Sequence, residues 1–512
     1  MFKNGTADIR NKVTGGKMVD EIKNEKARNI RWIRMFYAFL LPVLGSLFYF
    51  FYIINASEDI IYTDYIRLVN SYLPSGNGIR NMLVPDILTR IPVTYLLRAV
   101  NVSLFSYSVT FDRIVGILGF LLSGFVLSQY LVRERIGFLS ITVLFLVMFN
   151  LSKWELLING SGYPHFLAYA LFFYTYLVME RCFTGTRRPG DLWKLFALPA
   201  LSLLVAGPYI VQFSMTLLVA YAYLYGIPKR NIDKNMLPYL ALSALIPMLL
   251  YFWSSSRAVY EHDFVESMGI LDVLTKQTGF SVHFILNGFA SEIVSGAVLD
   301  DFLKMGLSYQ TIYFLGAIEI FLYGAALFLY FRKNLYRRTL MPFVLMISGA
   351  GSHVLVFLSR YAFLNEIYAW QSRYTLQYFP GLLGMLLIYA RLLSDWHGHY
   401  CEEREKERSL RAGSRKRRRS SVTLAESYVV ALSLMVLLTF ASGSVYTNRR
   451  ELLVMPFRKQ IFHEMRETAL NYDNKSDEEL NQLFEYHHGP NRVRNALDIL
   501  RENQLNVYAP VS

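Results

Sequence analysis

The sequence predicts an all-α polytopic membrane bundle, and three observations carry that prediction. The chain is 54% hydrophobic and only 18% charged, with a mean hydropathy of +0.28. Runs of about 18 or more apolar residues, long enough to cross a hydrocarbon layer at about 1.5 Å per helical residue, recur from Met35 almost to the C-terminus. Basic residues gather in short segments between alternate runs. Many separated spans make a helical bundle rather than a barrel, because each helix satisfies its own backbone hydrogen bonds.

Taken in order, a basic leader at residues 1–34 ends in Arg28, Arg31 and Arg34. The run behind it is long, lacks a small-x-small cleavage site and reads as an anchor. Eleven spans are predicted, near 35–54, 114–131, 137–150, 165–180, 195–206, 211–226, 236–253, 310–331, 340–358, 376–394 and 427–445. Leu195–Gly226 is too long for one span and is split at AGPYI, where Gly207 and Pro208 favour a turn. Arg133 and Arg135, then Arg187, Arg188 and Lys194, then Lys229, Arg230 and Lys234, then Arg332, Lys333, Arg337 and Arg338, and finally RKRRR at 415–419 supply the positive loops. These place the N-terminus in the cytoplasm and, with an odd count, the C-terminus outside. The formal net charge of +13 is thus explained by topology and calls for no nucleic acid. Cys182 and Cys401 are the two cysteines, both expected in cytoplasmic loops, so no disulfide framework is indicated.

The chain therefore divides into the leader 1–34, a bundle 35–445 and an extracytoplasmic helical tail 446–512. The bundle carries two long outer loops, 55–110 and 254–309, and a basic cytoplasmic loop, 395–426. YIRLVNSYL and DILTRIPVTYLLRAV in the first loop, and the pattern of the acidic second loop, read as helices lying along the outer membrane surface. In the tail, NKSDEE offers Ser476 as an N-cap before an acidic first turn.

Chemistry is expected where the first span ends. EDIIYTD places Glu58 and Asp59 side by side and Asp64 five residues on, at the depth of lipid phosphates. A carboxylate there can deprotonate a hydroxyl or hold a divalent cation against a phosphate, and Asp59 with Asp64 could share one. It can equally be an ordinary N-cap of the helix DYIRLVNSYL. At the outer ends of the ninth and tenth spans, LSRYAFLNEIYAWQSRYTLQYFPG sets Arg360 and Arg373 around an aromatic turn. A guanidinium fork suits two phosphate oxygens and an aromatic face, such as Tyr374, suits a sugar ring; the bland alternatives are headgroup snorkelling and an aromatic belt. Lys153, Trp154 and Glu155 ahead of NGSGYPHF form a further loop that could touch substrate. Glu319 stands within an apolar span and should face the bundle interior, paired with His353 of the next span.

This layout, a first span followed at once by a long acidic outer loop and a second long outer loop after the seventh span, resembles the GT-C superfamily of polytopic glycosyltransferases over roughly residues 30–395. The resemblance implies an enzyme of the cytoplasmic membrane of a bacterium that moves a sugar from a polyprenyl-phosphate donor to a glycan or lipid acceptor. It implies Asp64, then Asp59, as the catalytic base; the residues' own chemistry then assigns Arg373, Arg360, Tyr374 and Glu58 to substrate, and leaves a divalent cation only as an option. Arg373 followed by ten residues and Gly384 also resembles the Arg-x10-Gly element of O-antigen polymerases. A polymerase or ligase, or a transporter or flippase built on Glu319, are the alternatives.

Overall fold

The computed structural model describes residues 5–73, 92–227, 233–256, 268–411 and 424–510, and among these it contains helices and no strand. In chain order the helices are α1 (Gly5–Ala56), α2 (Asp64–Tyr72), α3 (Pro92–Phe105), α4 (Val109–Arg133), α5 (Phe138–Met148), α6 (Trp154–Ile158) and α7 (Tyr163–Thr184). Next come α8 (Asp191–Ala206), α9 (Tyr209–Gly226), α10 (Leu237–Ser255), α11 (Ile270–Lys276), α12 (Thr278–Ile293) and α13 (Gly296–Lys304). The chain finishes with α14 (Tyr309–Arg332), α15 (Met341–Arg360), α16 (Ser372–Arg411), α17 (Leu424–Leu470), α18 (Asp477–Leu483) and α19 (Arg492–Glu502). Proline in the first turn starts α7, α10 and α15, where its missing N–H costs nothing.

Ten helices among the described residues are long and apolar enough to cross a membrane. The helix α8 has only 16 residues, about 24 Å of rise, yet it covers the same thickness as α7. At its start, Asp191 accepts from Arg181 near the end of α7 at 2.9 and 2.7 Å. Just past its end, the Tyr209 ring packs edge-on against His165 near the start of α7, with centroids 4.3 Å apart. The bent pair α12 and α13 does not add a passage, because His283 near the start of α12 and Asp300 of α13 both meet the connection between α15 and α16. With α8 counted, the first residues of α1 and the last turns of α17 lie on opposite faces. The face where α1 ends and α17 finishes carries α2 and is the α2 face.

The helices α15 and α16 approach closely. A Cβ on Gly349 would come within 2.3 Å of the Gly381 Cα, and one on Gly384 within 2.5 Å of the Pro342 carbonyl. Small residues let the two backbones approach, which is how membrane helices associate where no hydrophobic effect separates protein from lipid.

The second long segment goes deeper than surface helices. The pair α12 and α13 is apolar enough to span and bends by 104° at the break. Gly316 lets α14 close onto α12, since a Cβ there would sit 2.0 Å from the Leu286 carbonyl. His353 of α15 then meets Glu292 of α12 (Nε2 to Oε1, 3.3 Å), so it is Glu292 rather than Glu319 that partners this histidine. The tail also differs in its beginning, because α17 runs unbroken to Leu470; the divisions at 34/35 and 445/446 fall inside α1 and α17. Ser476 caps α18 as read: its Oγ accepts from Glu479 N–H at 3.2 Å, and Glu479 accepts from Ser476 N–H at 2.8 Å. Cys182 lies on α7, buried, rather than in a loop. Lys229 and Arg230, residues 257–267 of the second loop, the first part of DILTRIPVTYLLRAV and the basic run 415–419 lie outside the described residues.

A candidate active site at the α2 face

The chain leaves α1 at Ala56 and turns into α2 at Thr63, whose φ of 48° is rare for a β-branched residue. Two contacts hold that conformation: Thr63 N–H donates to the Phe484 carbonyl at 3.0 Å, and Asn159 Nδ2 donates to Thr63 Oγ1 at 3.1 Å. Strain of this kind costs on the order of 1–3 kcal/mol and persists only when the surroundings enforce it. Its result is to place Asp64 at the first position of α2, where Thr63 supplies no side-chain cap.

Around Asp64 converge Arg373 from the start of α16, Arg67 from α2, His488 from the tail and Arg360 from the end of α15. Burial pushes the Asp64 carboxyl above the usual aspartate range, and these cations pull against that shift without reversing it. Arg373 is more than two-fifths exposed and pairs through Nε with Glu155 Oε1 at 3.3 Å. Glu155 is itself near Asp64 and Glu485. Its position is fixed because Glu155 N–H donates to Ser372 Oγ at 3.2 Å, while Ser372 Oγ donates to the Ser152 carbonyl at 2.8 Å. These bonds tie the start of α6 to the start of α16. Arg360 donates through Nε to the Tyr374 hydroxyl and lies 5.5 Å from that ring's centroid. The site thus interleaves carboxylates from α2, α6 and the tail with guanidiniums from α2, α15 and α16. It can accept a proton and hold an anion within one group of side chains.

Of the residues read from sequence, Asp64, Arg373, Arg360 and Tyr374 come together, and Asp59 and Glu58 do not join them. Asp59 is committed to the N-terminus of α4, accepting from Ser108 Oγ and Val109 N–H at 2.6 Å each and from Thr110 N–H at 3.3 Å. Glu58 faces α17, with His463 at 3.3 Å, Arg466 at 3.8 Å and Lys459 at 3.9 Å, beside a cleft of about 520 Å³. Among the described residues no group of three or more His, Cys, Asp or Glu is disposed to hold a metal ion. Gly384, the second half of the Arg-x10-Gly spacing, serves the close approach of α15 and α16.

Glu485 and His488 were not singled out in the sequence. They lie in EYHHGP of the tail, some 420 residues beyond Asp64, and no periodicity or spacing joins them to it. What brings them there is docking of the tail on the segment that follows α1: α19 packs on α2, and Asn70 Nδ2 donates to the Arg492 carbonyl at 2.9 Å. Asn506 extends the contact, its Nδ2 donating to the Tyr107 carbonyl at 3.0 Å. Comparison with protein-family models, with curated proteins and with solved structures finds no match for this chain.

Proposed function

We propose that the chain is a membrane glycosyltransferase of the GT-C kind, transferring a sugar from a polyprenyl-phosphate donor to a glycan or lipid acceptor at the α2 face. On this reading the membrane is the cytoplasmic membrane of a bacterium, and the α2 face is its outer side. The observation that carries the proposal is the convergence of Asp64, Arg373 and Arg360 at that face. A carboxylate whose affinity for a proton is increased by burial suits a general base, and a partly exposed guanidinium beside it suits a leaving phosphate.

In the proposed reaction the acceptor oxygen attacks the anomeric carbon and forms the new glycosidic bond. Its proton passes to Asp64. The bond between the anomeric carbon and the phosphate oxygen breaks with its electron pair, and the lipid phosphate leaves toward Arg373 and Arg360. One displacement inverts the anomeric centre. Holding donor and acceptor in one place supplies much of the acceleration, so a single proton acceptor suffices.

The test is transfer from a panel of radiolabelled polyprenyl-phosphate sugars by the purified protein. Asp64→Asn should lower turnover by about 100- to 10,000-fold, the contribution of a positioned base. Transfer that survives Asp64→Asn but is lost in Arg373→Ala would instead indicate a polymerase or ligase that depends on its arginines. No transfer from any donor in the panel would refute the proposal.

A further inference from the structure

Away from the candidate active site, Glu292 of α12, Glu319 of α14 and His353 of α15 form a second cluster inside the bundle. The Glu319 residue is 0% exposed, and the Glu292 and His353 side chains are each 3% exposed. The two carboxyls lie side by side. His353 is clamped between Phe289 and Tyr378, its ring stacked at 3.9 and 4.0 Å between centroids, and its Nε2 lies 3.3 Å from Glu292 Oε1. Among the described residues, Glu292 Oε2 and both carboxyl oxygens of Glu319 have no hydrogen-bond donor.

The groups facing the pair supply no further donor. Tyr323 of α14 donates its hydroxyl to the Met346 carbonyl, Tyr378 of α16 to the Ala369 carbonyl and Tyr389 of α16 to the Leu322 carbonyl. Among the described residues no lysine or arginine interacts with either carboxyl. Two ionised carboxylates offer only acceptors, and among the described residues no cationic side chain compensates them. One proton does: placed on either carboxyl, it becomes the donor that the other lacks.

We infer that Glu292 and Glu319 form a proton-binding site in which one proton is shared between the two carboxyls, with His353 as the group that fixes Glu292. The site lies under the segment that leads to Arg373. The imidazole of His283 on α12 meets Glu366 Oε1 at 3.0 Å, Tyr313 on α14 donates to Glu366 Oε2 at 2.7 Å, and Trp370 Nε1 donates to Asp300 of α13 at 3.1 Å. The proton therefore resides on the same two helices that grip that segment, farther along each of them than His283 and Tyr313.

Infrared spectroscopy of the full-length protein in lipid vesicles tests the inference through the carbonyl stretch of protonated carboxyls. A glutamine amide can donate to a neighbouring carboxylate, so Glu319→Gln should leave Glu292 ionised, and Glu292→Gln should leave Glu319 ionised. Each single substitution is expected to abolish one and the same band. Two bands, each lost only with its own substitution, would show two independent protonated acids and overturn the shared proton. In the wild type a buried band that exchanges as one proton per chain over a pH titration is expected, whether or not the variants fold. Absence of any such band at every pH would overturn the site.

Discussion

Asp64 is placed where ionisation is costly and useful at once. Its raised proton affinity arises first from burial, with Arg373 the leading opposing cation. A carboxyl of raised pKa in the folded state binds its proton more tightly there than in the unfolded chain. The stability it contributes is complete below the ordinary aspartate pKa and is lost as pH rises through the elevated value. At neutral pH Asp64→Asn should therefore unfold at a higher temperature than the wild type while losing transfer, a stability gain with a loss of function. Arg373→Ala removes the leading cation, so the acid limb of the pH profile of kcat/KM should move to higher pH and the donor KM should rise. An unmoved acid limb would show that another group titrates in that limb. The acid and the arginines could be seen in the sequence because each sits at the end of a long apolar run. Glu485 and His488 could not, since their approach depends on how the tail folds back.

At the scale of elements, Asp59 and Gly349 make the clearest cases. Asp59 ends one helix connection and starts another, accepting two short bonds at the head of α4. Its replacement by alanine should cost about 1–2 kcal/mol in thermal or denaturant unfolding, as for other lost caps, with the pH profile of the surviving folded protein unchanged. A changed acid limb would instead return Asp59 to the reaction. Gly349→Leu should destabilise by about 1–3 kcal/mol or more, because its side chain has no room against Gly381. Gly351→Ala, with nothing within 4 Å of the added Cβ, is the matched control and should be close to neutral. Span positions were legible from hydropathy because the membrane sets helix length. The descent of α12 into the bundle was not, since TGFSVHFILNGFASEI carries the same apolar spacing whether it faces lipid, water's edge or protein. Packing against Gly316 decides the matter, and that contact is invisible in one segment alone.

For the whole molecule, the placement of the two ends depends on α8. If this 16-residue helix crosses, as the Asp191 contact at one end of α7 and the Tyr209 contact just past α8 at the other require, eleven passages separate the leader from the tail. If it did not, α9 would enter from the other side and every later loop would invert, yet the tail would still have to reach Thr63, Asn70 and Glu58 beside the end of α1. The tail contacts and the chain parity thus impose the same condition from independent parts of the structure. Single cysteines at three exposed positions, in a background without Cys182 and Cys401, convert that condition into a measurement. Glu478→Cys in the tail and Lys276→Cys at the end of α11 should react with a membrane-impermeant maleimide from one side of sealed vesicles. Arg187→Cys, in the connection between α7 and α8, should react only from the other. Labelling of Arg187→Cys and Glu478→Cys from the same side would break the parity and separate Asp64 from the tail residues assigned to it. The positive-inside pattern further predicts that the Arg187 side is the cytoplasmic one, which whole cells, in place of vesicles, would report as resistance of Arg187→Cys to added reagent.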